Sequence, residues 1–379
     1  MIAKRAAQIA PFLAMEVMER AQALERQGAD IIHLEVGEPD FDVPECVKEA
    51  MQRAVAGGQT HYTHSLGELP LREAICAYYA ETYGVAISPE QVLVSSGTSP
   101  VMMLLFAALL DEGDEVILSD PRYACYPNMV RFAGGVCVDV PVYEQDAFQF
   151  DPEAVRERIT PRTKAIMINS PSNPTGTLLS PERMAALAEL GAPIISDEIY
   201  HGLVYEGRER SILEFTPDAF VLNGFSKQFA MTGLRLGYLI APPAYMRALQ
   251  KLQQNFFISA NSAAQQGGIA ALQCAAPDVA RMKRTYDERR RFMIARLREL
   301  GLGVAVEPTG AFYVFANARH LGNDSLSLAF DILERAHVGV TPGIDFGPNG
   351  EGFLRFSYAA ALDKIAEGLN RLEAYLAGR

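Results

Sequence analysis

Apolar positions along the chain change their period from one stretch to the next. Over 15–27 they recur at helical spacing, and Ile31-Ile32-His33-Leu34 then makes a short apolar run into the turn-rich Gly37-Glu38-Pro39-Asp40. Over 44–55 a proline near the first turn precedes Val47, Ala50, Met51 and Ala54, the pattern of an amphipathic helix. Residues 68–83 predict another helix. From 91 onward, short runs rich in Val and Ile alternate with helical stretches. Strands are predicted at 92–94, 116–118, 136–142, 165–168, 193–195, 220–222 and 237–240, and helices at 99–110, 127–133 and 181–190. This alternation predicts a mostly parallel sheet sandwiched by helices, with right-handed crossovers. Beyond 285 the texture changes. A charged helix at 281–300 is followed by strands at 311–315 and 353–357 flanking a helix at 326–336. The expectation is an α/β chain with a large domain over 45–285, and a smaller α+β domain built from 1–44 and 286–379.

Composition narrows the picture a little. The 379 residues are 49% apolar and 21% charged, the balance of an ordinary globular enzyme, and long enough for two or three domains. The net charge of −12, with no basic stripe, argues against nucleic acid or an anionic membrane as partner. The longest apolar stretch, 101–110, is too short to span a bilayer, and Met1-Ile2-Ala3-Lys4-Arg5 lacks the apolar block of a signal peptide. A cytoplasmic location is expected. The five cysteines are scattered, odd in number and without a C-x-x-C, which predicts buried free thiols in a reducing compartment. The six histidines show no metal-ligand spacing, so no metal is expected.

Chemistry concentrates where strands end, which is where open α/β sheets bind ligands. After 92–94 comes Ser95-Ser96-Gly97-Thr98-Ser99, entering a helix; free N–H groups and hydroxyls there suit an anion, or else Thr98 or Ser99 simply caps the helix. After 116–118 comes Tyr123, able to stack on a flat ring or to pack in the core. After 165–168 comes Asn173, in a loop stiffened by Pro171 and Pro174. After 193–195 comes Asp197, an acid in apolar surroundings that needs a cationic partner such as a pyridinium N–H. After 220–222 comes Lys227, with Arg235 eight residues on between two glycines. A desolvated lysine forms Schiff bases with aldehydes, and an arginine fork suits phosphate. The five strand ends together describe a flat ring with a phosphate, a phenolic oxygen, a basic nitrogen and an aldehyde.

On these residues the chain resembles the class I/II pyridoxal-phosphate-dependent aminotransferases of fold type I. The resemblance runs from Gly37-Glu38-Pro39-Asp40-Phe41 to Arg355-Phe356-Ser357 and is strongest at 224–237, at Asn173-Pro174-Thr175-Gly176 and at Ser196-Asp197-Glu198-Ile199-Tyr200. It implies pyridoxal 5′-phosphate as cofactor, and an amino acid and a 2-oxo acid as substrates. Lys227 would bond the cofactor and then move the proton. Asp197 would pair with the ring nitrogen, Asn173 and Tyr200 with the ring oxygen, and Tyr123 would stack. Gly97, Thr98, Ser99, Ser226 and Arg235 would hold the phosphate. Arg355 would take the substrate carboxylate, with Gly37 and Asn173 beside it. Tyr62 would reach the phosphate across the interface of a homodimer. One departure is Gly224, where many relatives carry serine. The apolar segment Pro11-Phe12-Leu13-Ala14-Met15 and the lack of a lysine in Gly97-Thr98-Ser99-Pro100 favour a neutral or aromatic substrate over a dicarboxylate. A carbon–sulfur lyase on the same fold, and a non-catalytic ligand-sensing domain, are the alternative readings.

Overall fold

The apolar run at 31–34 contributes only a two-residue strand, β1 (Ile32–His33), in the computed structural model, which describes residues 2–378. The alternating region supplies seven more strands: β2 (Val92–Ser95), β3 (Glu115–Asp120), β4 (Val136–Pro141), β5 (Thr163–Asn169), β6 (Ile194–Asp197), β7 (Ala219–Gly224) and β8 (Gly237–Ile240). They form one sheet in the order β2-β8-β7-β6-β5-β3-β4. Strand β8 is antiparallel to both neighbours, and the other four pairings are parallel. The molecule is therefore the expected α/β type. Strands β2, β6, β7 and β8 are buried at every position, which is why their sequences read as continuous apolar runs rather than alternating ones.

The rest of the chain builds a second, smaller set of strands: β9 (Tyr313–Asn317), β10 (Val338–Gly339), β11 (Thr341–Pro342) and β12 (Phe353–Ser357). Strands β11, β12 and β9 form an antiparallel sheet in that order. The parallel pair β1–β10 ties the N-terminal segment to this C-terminal region. Val17 and Ala21 of helix Leu13–Glu25 pack there against Ile31 and Leu333. The long helix Ala276–Glu299 runs through position 285, so the chain passes from one region to the other along a continuous helix.

Helices Pro243–Phe256, Ser262–Cys274 and Leu362–Ala377 were not read from the sequence. The middle one hides because it carries Gly267 and Gly268 in its interior, where glycine lowers helix propensity. Packing explains the glycines. A Cβ at Gly267 would lie 2.9 Å from Met51 Cγ, and one at Gly268 2.6 Å from Leu236 Cδ2. Helix Glu45–Ala56 packs closely on this helix, and Cys46 and Cys274 meet in a disulfide. The expectation of five free thiols is thus corrected: Cys76, Cys125 and Cys137 are free, and two cysteines 228 residues apart are joined. Among the described residues no helix is long and apolar enough to cross a membrane.

Candidate active site

The carboxyl ends of β2, β3, β5, β6 and β7 open onto a cavity of about 480 Å³. Lys227 lies just beyond β7 and lines it. Its Nζ donates to the carbonyl of Gly37 at 2.7 Å. Burial pushes the amine down to about 8; Arg355 and Arg235 add to that, while Glu38 and Asp197 oppose it. A lysine in this state carries a useful fraction of free amine near neutral pH, as a nucleophile or proton acceptor requires.

Asp197 closes β6 and is buried. One carboxylate oxygen accepts from Tyr126 Oη at 2.7 Å, the other from the Ile199 N–H at 3.2 Å. Burial pushes the carboxyl up to about 6, and these two donors restrain it. A cationic N–H beside it would restore the anion outright. Asn169, at the end of β5, donates to the Asp197 carbonyl at 2.9 Å and accepts from the Asn173 N–H at 2.8 Å, so one side chain fixes both loops.

At one end of the cavity, helix Thr98–Leu109 begins without a side-chain cap; Gly97 stands at its N-cap with φ of +105°. Thr98 and Ser99 therefore lie inside the first turn and line the cavity rather than capping the helix. Arg235 and Ser226 line the same cavity. A Cβ at Gly97 would stand 2.6 Å from Arg235 Nη2, and one at Gly237 2.7 Å from the Thr98 nitrogen. Glycine at both positions lets the guanidinium and the helix N-terminus close into a cradle for an anion. Gly224 belongs to the same packing: a Cβ there would meet Gly237 Cα and the Leu236 carbonyl at 3.0 Å. A serine there would require these backbone neighbours to give slightly.

At the other end, Arg355 projects from β12 and is 2% exposed. It donates to Asn173 Oδ1 at 2.9 Å, to the Glu35 carbonyl at 2.6 Å and to Thr341 Oγ1 at 3.1 Å. Its Nε has no partner among the described residues. Tyr200 is buried here, its hydroxyl 2.8 Å from that of Tyr313. Tyr123 lines the cavity, edge-on to Phe12 at 5.9 Å and to Tyr126 at 5.2 Å.

The cavity thus gathers Gly37, Thr98, Ser99, Tyr123, Asn173, Asp197, Tyr200, Ser226, Lys227, Arg235 and Arg355, and Gly97 lies against Arg235. Tyr62 is not among its lining residues and is 82% exposed. Sequence reasoning missed Tyr126 and Tyr313. The first stands three residues after Tyr123. The second shares a face with Arg355, because β9 pairs Phe315 with Arg355 and Tyr313 is two residues along. Alternation within the strand held half of that signal, and the pairing with β12 supplied the rest.

An anion cradle, a buried carboxylate and a depressed lysine amine fit pyridoxal phosphate, and the buried Arg355 fits a substrate carboxylate. A family model described as aminotransferase class I and II matches residues 29–372. The chain belongs to that family. This aminotransferase works with pyridoxal 5′-phosphate on an amino acid and a 2-oxo acid. It is 39% identical to the (5-formylfuran-3-yl)methyl phosphate transaminase of Methanocaldococcus jannaschii, over 99% of this chain and 100% of that protein. It is 39% identical to the aspartate/prephenate aminotransferase of Thermus thermophilus, over 99% of this chain and 98% of the relative. The solved aspartate aminotransferase from Thermus thermophilus with maleate superposes with a TM-score of 0.95 at 39% identity, covering 99% of each chain.

Proposed function

We propose that this aminotransferase moves the amino group of an α-amino acid lacking a second carboxylate to a 2-oxo acid, in two half-reactions at one site. The observation that carries the reading is the half-buried Lys227, its amine lining the cavity together with the Arg235–Gly97 cradle and Arg355. Pyridoxal phosphate, when bound, supplies an aldehyde and an electron-withdrawing ring. Thr98, Ser99, Ser226 and Arg235 would hold its phosphate, with Gly97 giving the backbone room. Asp197, kept in place by Tyr126, would favour the protonated ring nitrogen. Asn173 and Tyr200 would bond the ring oxygen, and Tyr123 would stack on the ring. Arg355 forks onto the substrate carboxylate next to Gly37 and Asn173, so amino acid and oxo acid use the same reader in turn. Lys227 would take the proton from the substrate Cα in the first half-reaction, pass it on within the site, and deliver a proton to that carbon of the 2-oxo acid in the second. Tyr62 would reach the phosphate of a second copy, which makes the working unit a homodimer; its exposure in the single chain is compatible with this.

The substrate preference rests on charge. Among the described residues the cations lining the cavity are Lys227, Arg235 and Arg355, and each already has a task. The remaining wall includes Phe12, Ala14, Met15, Met18 and Met102, with Glu38 as a further acid. Against this chain's own lining a distal carboxylate would lose water without gaining a cation, whereas an apolar side chain loses nothing. Mixing cofactor-loaded protein with phenylalanine or aspartate and monitoring the cofactor absorbance tests this. Phenylalanine should react about tenfold faster or more at equal concentration. Fast conversion by aspartate alone would overturn the substrate assignment.

A further inference from the structure

Tyr313 has no role in the proposed reaction, yet it touches both Tyr200 and Arg355. Its hydroxyl lies 2.8 Å from Tyr200 Oη. The guanidinium carbon of Arg355 lies 4.3 Å from its ring centroid. Gly37 makes room for it, since a Cβ there would stand 1.9 Å from Tyr313 Oη. The residue is 1% exposed, and a buried phenol requires a hydrogen-bond partner. Strand β9 holds it rigidly on the face it shares with Arg355.

We propose that Tyr313 is a positioning residue that couples Arg355 to the Tyr200 hydroxyl, and through Tyr200 to the proton on the Lys227 nitrogen. The inference rests on the pyridoxal-phosphate aminotransferase reading. Tyr200 has a single proton. When it donates that proton to the cofactor ring oxygen, its own oxygen can only accept from Tyr313. Tyr313 is then the outer donor of a two-link chain, and linked hydrogen bonds strengthen one another by about 10–30% per bond. Arg355 over the ring makes Tyr313 a better donor, because the cation stabilises the negative charge that builds on the phenol as its proton is shared. A substrate carboxylate on Arg355 offsets that charge and weakens the chain. Tyr200 then holds the ring oxygen less firmly, and the Lys227 nitrogen keeps its proton to higher pH.

The charged groups that bear on Lys227 are Glu38, Arg355, Arg235 and Asp197; the charged group that bears on the tyrosine pair is Arg355, and the neutral phenol of Tyr123 lies beside Tyr200. Tyr313→Phe leaves all of them in place and removes one oxygen, so its effects belong to the hydroxyl. Wild type, Tyr313→Phe, Tyr200→Phe and the double variant, all loaded with cofactor, are titrated with pH while the visible absorbance of the bound cofactor is recorded. Each titration is repeated with 3-phenylpropionate as an unreactive carboxylate. Tyr313→Phe should raise the midpoint by about half a pH unit. The extra rise caused by 3-phenylpropionate should shrink, and the double variant should match Tyr200→Phe. KM should stay within about twofold, whereas Tyr313→Leu, which also removes the ring, should raise KM about tenfold. An unchanged midpoint in Tyr313→Phe, or additive shifts in the double variant, overturns the proposal. Wild-type protein that takes up no cofactor would instead defeat the underlying reading.

Discussion

The two ends of the cavity are built by opposite means. The phosphate end is made largely of backbone: Gly97, Thr98 and Gly237 approach so closely that Cβ atoms at the two glycines would fall 2.6–2.7 Å from their neighbours. Its parts come from short stretches after β2 and between β7 and β8. The carboxylate end is made of side chains. Arg355 gathers Asn173, the Glu35 carbonyl, Thr341 and Tyr313 from across the chain, with separations of up to 320 residues. A backbone-built site tolerates little substitution but is written compactly. A side-chain-built site is dispersed, and its strength lies in a network around one charge.

Lys227 belongs to neither end and serves both, so its loss gives the largest effect. Lys227→Ala should abolish turnover, with kcat falling by roughly 10⁴ or more, because both the attachment point and the proton carrier go. A steady-state assay returning near-wild-type kcat would defeat the mechanism. Arg355→Leu should act mainly at the carboxylate end: KM for every amino acid tested rises about 10²-fold, while cofactor affinity changes far less. If a single substrate suffered, Arg355 would be reading a side chain instead. Gly97→Ala should do the converse. The left-handed φ of +105° and the contact with Arg235 both resist a Cβ, so cofactor affinity should drop about tenfold, with little change in KM at saturating cofactor. Titration of cofactor-free protein measures it, and wild-type affinity would show that the cradle yields easily. Gly224→Ser is the mildest. Crowding against Gly237 should cost about 1 kcal/mol, read as a Tm lower by about 2 °C, with cofactor affinity held. An unchanged Tm would mean β8 gives way there.

The contrast explains which parts of the site were legible in the chain. Strand-end motifs exposed the phosphate end and the lysine because each lies within a few residues of an apolar run. Arg355 itself was legible through family resemblance. Its neighbour Tyr313 was not, although both sat in predicted strands. Alternation assigns a face within a strand, but the register of β9 against β12 decides which residues meet on it. Tyr126, on the helix Cys125–Phe132, was missed because its partner Asp197 lies 71 residues away. The helix Ser262–Cys274 was hidden by glycines that are unfavourable locally and needed only for close packing.

By itself, the sequence determined the α/β alternation, the strand ends that carry the chemistry and the residue types suited to a phosphorylated aldehyde. These are local properties, set by the period of apolar residues and by the few residues just after each run. Tertiary structure decided the rest. It placed the Cys46 and Cys274 sulfurs together, the Tyr313 ring against Arg355, and the Lys227 amine deep enough for its proton affinity to fall to about 8. Desolvation and proximity are properties of the packed interior, and no stretch of chain holds them until distant stretches close around it.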